Sequence, residues 1–270
     1  MTENSSSYRV GLVTGASKGI GRLCAERLVK ANWRVFGGAR TKASLDGVEM
    51  IQMDVDDDAS VKRAITYVLG QAGKIDAVIN NAGFSIRGSV EDVSMDEAKA
   101  IFETNFFGAL RVCQAAAPAL RNSRGCIINM SSLASVVGLP FTAHYCASKA
   151  ALEALTESLR LELRPFGVRV VLVEPGDYRT ELQNARRISE ATMKGVYAGA
   201  FDVFLQKRRA FELRASTAEP VAILVQKILD DPDPKLRYVV AMPSQRILPI
   251  LKRFLPQNTF EWAMMKILSE

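Results

Sequence analysis

The chain has 270 residues, of which 48% are hydrophobic and 24% charged, so it can bury a large core and needs neither a metal nor a disulfide to hold it together. One histidine and four scattered cysteines without Cys-x-x-Cys spacing argue against a His-based triad or a zinc site, and point to a reducing compartment. Most of the net charge of +6 lies from Tyr178 onward, with 15 Lys or Arg against 10 Asp or Glu; lacking an aromatic-interleaved basic patch, this stretch reads as a solvated basic face rather than a nucleic-acid surface.

The N-terminal MTENSSSYRV has neither a basic n-region nor an apolar h-region, so residues 1–7 read as a flexible start and not a secretory signal. No run approaches the roughly 18 apolar residues of a membrane span, and a soluble, cytoplasmic protein is expected. Short apolar runs at 9–14, 34–38, 49–53, 77–80, 125–130, 169–173 and 237–242 predict strands. Helical patterns at 19–31, 59–72, 95–120, 145–164 and 219–230 lie between them. The alternation predicts an α/β fold: a single-domain doubly wound, Rossmann-type parallel sheet of about seven strands with helices on both faces.

The first strand is followed by Thr14-Gly15-Ala16-Ser17-Lys18-Gly19-Ile20-Gly21 and an amphipathic helix. Glycines at such a turn let the backbone bend sharply and approach a pyrophosphate with no Cβ in the way. The helix N-terminus then offers free N–H groups and a favourable dipole. Gly15, Ser17, Lys18, Gly19, Ile20 and Gly21 are therefore candidate dinucleotide contacts. The second strand runs into Phe36-Gly37-Gly38-Ala39-Arg40-Thr41-Lys42. A carboxylate at this place binds the ribose 2′-hydroxyl of NAD, whereas an arginine accommodates the 2′-phosphate of NADP. No carboxylate is present; Arg40, with Lys18 in reach, predicts NADP(H). Asp54-Val55 and Asn80-Asn81-Ala82-Gly83 close the third and fourth strands and by themselves read as turns. Asp56-Asp57-Asp58 reads as a helix start, carboxylates facing the positive end of the dipole.

The fifth strand ends Asn129-Met130-Ser131-Ser132, and the next helix opens Tyr145-Cys146-Ala147-Ser148-Lys149. A spacing of four puts the phenol and the ammonium on one helix face. A phenol titrates near pH ~10, too high for a base at neutral pH, and a neighbouring cation lowers that value. With six tyrosines and 13 lysines in the chain, about 0.3 such pairs arise by chance. Context has to add weight. Ser132 precedes Tyr145 by 13 residues, Asn105 sits within Thr104-Asn105-Phe106-Phe107-Gly108, and Pro175-Gly176-Asp177-Tyr178-Arg179-Thr180 follows the sixth strand. His144, the single imidazole, reads as a loop residue or a lining of a substrate site. Ala151, Leu155, Leu159 and Leu163 make a stripe that is core or a subunit interface.

The Gly-x-x-x-Gly-x-Gly turn, Asn105, Ser132 and the Tyr145…Lys149 pair, ordered over residues 8–182, resemble the short-chain dehydrogenase/reductase family. The resemblance implies that Tyr145 exchanges a proton with the substrate oxygen. Lys149 would lower its pKa and bond the nicotinamide ribose, Ser132 would hold the substrate oxygen, and Asn105 a relay water. It also implies that Asp54, with Val55, meets the adenine and that Asn81, Ala82 and Gly83 support the adenosine side. Pro175, Gly176, Thr180 and the backbone at Tyr178 would fix the carboxamide, although Tyr178 stands where the family more often has an aliphatic residue. Residues 178–215 and the missing Asp-Gly-Gly-type turn after 237–242 resemble the 17β-hydroxysteroid and retinol dehydrogenase branch, which implies a bulky lipophilic substrate and a homodimer or homotetramer. The apolar, basic segment 244–270 is expected to pack as core or lid, ahead of a membrane-surface helix. The expectation is one NADP-binding catalytic domain over 1–270 that interconverts a carbonyl and an alcohol. Its rival is a non-catalytic NADP-binding regulator on the same fold, which has no need of an acid–base pair.

Overall fold

Val10, Leu12 and Val13 are fully buried within Arg9–Thr14 (β1), as a strand covered on both faces requires. The computed structural model describes residues 8–179 and 186–268, Leu268 by its backbone alone. It adds Trp33–Ala39 (β2), Val48–Gln52 (β3), Ala77–Asn80 (β4), Ile86–Arg87 (β5), Cys126–Met130 (β6), Arg169–Pro175 (β7), Arg187–Ile188 (β8) and Arg237–Val240 (β9). Seven strands form one parallel sheet in the order β3-β2-β1-β4-β6-β7-β9, the doubly wound arrangement expected. The order reverses between β1 and β4, so the loops leaving these two strands flank the crevice at their carboxyl ends. The short strands β5 and β8 pair in parallel as a second sheet.

The helices are Gly19–Lys30 (α1), Asp58–Ala72 (α2), Met95–Phe102 (α3), Ala109–Ser123 (α4), Ala143–Leu163 (α5), Glu190–Lys194 (α6), Ala198–Arg214 (α7), Glu219–Asp230 (α8), Pro243–Arg246 (α9), Leu248–Phe254 (α10) and Gln257–Leu268 (α11). Alternate strand residues serve opposite faces. Val13, Val35, Ile79 and Ile128 pack with Cys24 and Leu28 of α1 and Val221 and Val225 of α8. Leu12, Phe36, Val78 and Ile127 pack with Val61 and Val68 of α2 and Val112 and Ala116 of α4. The acidic run starts α2 as expected, Asp57 accepting from the Ala59 N–H at 2.8 Å.

The structure refines three readings. The helix expected over 95–120 is α3, a π-helical stretch at Glu103–Gly108, and α4. The bulge swings Asn105 inward to the Phe84 backbone and Ser148, a displacement that periodicity cannot register. The buried face of α5 carries Lys149, Leu152 and Thr156, while Ala151, Leu155 and Leu159 of the expected stripe are half-buried and only Leu163 is fully so. Residues 178–215, which show weak periodicity, contain β8, α6 and α7. Helix α7 is held chiefly by Phe201 and Phe204, whose rings lie 5.1 and 5.4 Å from Phe141, a residue of a distant loop.

Candidate active site

The glycine turn is built as a cradle. Gly15 has φ +65°, a left-handed conformation that disfavours any Cβ. A Cβ at Gly21 would stand 2.4 Å from Asn81 Nδ2 and 2.4 Å from the Gly15 carbonyl oxygen. The Asn81 amide itself closes the turn, donating to the Thr14 and Gly15 carbonyls at 3.0 and 3.3 Å. The Thr14 hydroxyl accepts the Asn81 and Ala82 N–H groups, both at 3.0 Å. Helix α1 has no acidic residue in its first turn, and Lys18 makes no side-chain cap, so neither a cap nor a carboxylate competes with an anion at this helix end. Ser17 and Ile20 are half-buried, and Ile20 also lines the main cavity.

The other predicted nucleotide contacts fall around this turn. Arg40 and Lys18 are exposed, and Arg40 edges a crevice with Lys42 and Gln52. One carboxylate oxygen of Asp54 accepts the Asp56 N–H at 3.1 Å, closing its own turn, and Val55 is buried. Pro175 ends β7 and Gly176 follows it, where the Gly176 N–H donates to the Val240 carbonyl and a Cβ would strike Gln245. Tyr178 lines the cavity and packs its ring into the core beside α8. Thr180 lies outside the described residues.

The acid–base end forms where β6, β4 and α5 converge. Ser132 follows β6, its hydroxyl accepts the Ala134 N–H at 3.2 Å, and it lines the same cavity as the Tyr145 phenol. Burial pushes the phenol of Tyr145 up, Ser132 gives the leading downward pull, and the Arg186 guanidinium adds to it. Lys149 Nζ donates to the Met130 carbonyl, 2.7 Å away. Asn105 Nδ2 donates to the Phe84 carbonyl and to Ser148 Oγ, and Ser148 Oγ donates to the Tyr145 carbonyl. The bulge in α3–α4 is thereby tied to the helix turn that carries Tyr145 and Lys149. Gly83 stands between Asn105 and Lys149, where a Cβ would sit 2.9 Å from Asn105 Oδ1 and 3.6 Å from Lys149 Nζ.

Lys149 is 5% exposed, and burial brings its ammonium down from 10.5 to about 8 against the opposing pull of Glu153. The folded state therefore carries a penalty for the charged form. That penalty is absent above the unfolded pKa, grows as pH falls toward 8, and is constant below. Wild-type stability relative to Lys149→Met should rise by about 1–2 kcal/mol between about pH 8 and 9.5, read from urea unfolding. Parallel curves for the two proteins across that interval would contradict the burial account.

Ser131, next to the candidate hydroxyl, has another task. It donates to the buried Glu153 carboxylate at 2.5 Å, and Arg237 also bonds Glu153 at 2.6 Å. Ser132, Tyr145 and Lys149 all line one cavity of about 500 Å³, within the size range of ligand sites. Its apolar lining includes Leu133, Val137, Leu139, Phe211, Leu248 and Met264, and His144 is not part of that lining. In α11, Phe260 and Met264 pack on Val137, Leu139 and Leu251. Sequence reasoning missed five charged residues of this lining, Arg87, Asp177, Arg186, Arg208 and Glu212, because no local pattern joins positions so far apart. It also missed Gln245, whose side chain bonds the Asp177 N–H and carboxylate.

The short chain dehydrogenase family model matches residues 9–191. A 3-ketodihydrosphingosine reductase of Bacteroides thetaiotaomicron is 35% identical over 256 residues, covering 94% of this chain and 95% of that protein. Human 17-beta-hydroxysteroid dehydrogenase type 1 is 32% identical over 266 residues, covering 90% and 80%. The crystal structure of a short-chain dehydrogenase from Streptomyces avermitilis has a TM-score of 0.80 at 31% identity, over 97% of each chain. Taken with the seven-stranded doubly wound sheet and its glycine turn, these matches mean that the chain belongs to the short-chain dehydrogenase/reductase family.

Proposed function

We propose that the chain is one catalytic domain that interconverts a carbonyl and an alcohol of a lipophilic substrate, with NADP(H) as its cofactor. The observation that carries this reading is the convergence of Ser132, Tyr145 and Lys149 on a largely apolar cavity beside the nucleotide cradle. When bound, NADP(H) supplies or takes the hydride. Gly15, Gly19 and Gly21 with the α1 N-terminus would hold its pyrophosphate, Arg40 and Lys18 its 2′-phosphate, and Lys149 and Asn81–Gly83 would lie along it. In reduction, the protonated Tyr145 phenol, kept so by burial, donates to the substrate oxygen. Ser132 O–H hydrogen-bonds that oxygen as negative charge develops on it. Lys149, with its pKa near 8, can hold or pass a proton behind Tyr145. Asn105, through Ser148, fixes the helix turn bearing both.

The relatives named for ketosphingoid and steroid chemistry support the lipophilic class, as do the cavity's apolar walls. The test is NADPH consumption across ketones, aldehydes, steroids and retinoids; binding of NADPH with no turnover on any of them would sink the reading. Ser132→Ala should lower kcat by roughly 10²–10³, the usual loss for one oxyanion-stabilising donor. Ser131→Ala should lower stability by about 1 kcal/mol, the worth of one hydrogen bond, and leave the rate nearly unchanged. A reversed pattern in paired kinetics and melting curves would reassign the two hydroxyls.

A further inference from the structure

The cavity holds more charge than the reduction of a neutral ketone calls for. Arg87, Arg186 and Arg208 line it together with Asp177 and Glu212, three guanidiniums against two carboxylates. Arg208 is paired with Asp177 at 2.9 Å. Glu212 is shared: its Oε1 accepts from Arg87 at 2.6 Å and from Arg186 at 2.8 Å. Among the described residues, the excess positive charge therefore sits on the Arg87–Glu212–Arg186 group, whose side chains are 6, 12 and 16% exposed. A buried charge without a counter-ion is unfavourable. Arg87 registers this, drawn down to about 10 by burial and then by Arg186.

The chain assembles this group from separate elements. Arg87 lies on β5, Arg186 immediately precedes β8, and Arg208 and Glu212 stand one turn apart on α7. Stapling α7 to the small sheet would need matched pairs and does not call for a third guanidinium. The excess charge shares this cavity with the predicted acid–base residues, since Arg186 lines it together with Ser132 and Tyr145. Elsewhere the lining turns apolar at Leu139, Phe211, Leu248 and Met264.

Building on the reductase reading above, we propose that Arg87 and Arg186 form a subsite for a carboxylate of the substrate. The carbonyl compound is then amphipathic, with its anionic group close to the reacting carbon and an apolar chain along α10 and α11. Guanidinium suits this role through planar, bidentate bonding to carboxylate. A cationic amine beside the carbonyl would be repelled.

The test compares kcat/KM for 4-oxodecanoate and its methyl ester with NADPH. The acid should be preferred by about tenfold or more, the scale of one charge-assisted hydrogen bond. Arg186→Gln should bring the acid-to-ester ratio toward one, and Glu212→Gln should raise it by removing the internal competitor. Any effect of Arg186 on Tyr145 acts on both substrates and cancels in the ratio, and a loosened fold cannot produce shifts of opposite sign. Equal use of acid and ester by the wild type, or a ratio unmoved in Arg186→Gln, overturns the subsite. If neither compound is reduced, the reductase reading fails on these ketones, and calorimetric binding of decanoate against methyl decanoate decides the subsite alone. Acid-selective binding that is lost in Arg186→Gln supports it, and unselective binding overturns it.

Discussion

Tyr145→Phe is expected to lower kcat by about 10²–10⁴, the contribution of one well-placed proton donor, while leaving the NADPH Kd within a few-fold. The substitution removes only a hydroxyl. The ring still packs against the cluster of Ile86, Val93 and Ile101, so stability should change little. What is lost is the phenol proton beside Ser132, held on the oxygen at neutral pH because burial pushes the group up. Steady-state rates with NADPH and a fluorescence titration of cofactor binding separate the two effects. Near-wild-type turnover would remove Tyr145 from the mechanism, and loss of cofactor binding would make it a structural residue.

The second large effect concerns cofactor choice. Arg40 is exposed at the end of β2, where no carboxylate stands, so wild-type enzyme should prefer NADPH over NADH by at least about tenfold in kcat/KM. Arg40→Ala should cut the NADPH value by roughly 10- to 150-fold, the worth of a charge-assisted hydrogen bond, and leave NADH almost untouched. Adding Ala39→Asp should reverse the preference, because the carboxylate accepts a free 2′-hydroxyl and repels a phosphate. Ala39 is 6% exposed, so the double variant should also melt earlier, and the single Arg40→Ala keeps the question answerable. Equal use of both cofactors by the wild type refutes the NADP assignment.

The readable parts of this chain share one property: their signals are local. Apolar runs such as Val170–Val173 announce strands buried on both faces, and the seven strands of the main sheet lie where the sequence predicts them to within two residues at each end. Gly15 and Gly21 are needed where backbone must pass close to Asn81, and the Tyr145…Lys149 spacing is a property of one helix face. Helix α7 was illegible for the opposite reason. Its register depends on Phe201 and Phe204 meeting Phe141, and no periodicity within α7 encodes a contact made by another loop.

The sequence by itself determined the fold class and the family, because each depends on residue type at short fixed spacings. Only the tertiary structure decided how the polar groups are tuned. The π-helical turn that brings Asn105 to Ser148, the Met130 carbonyl that engages Lys149, and the Glu212 carboxylate shared by Arg87 and Arg186 all join positions far apart in the chain. Burial and charge balance at such places arise from packing between elements, and a group's pKa follows from those neighbours and not from its own residue type.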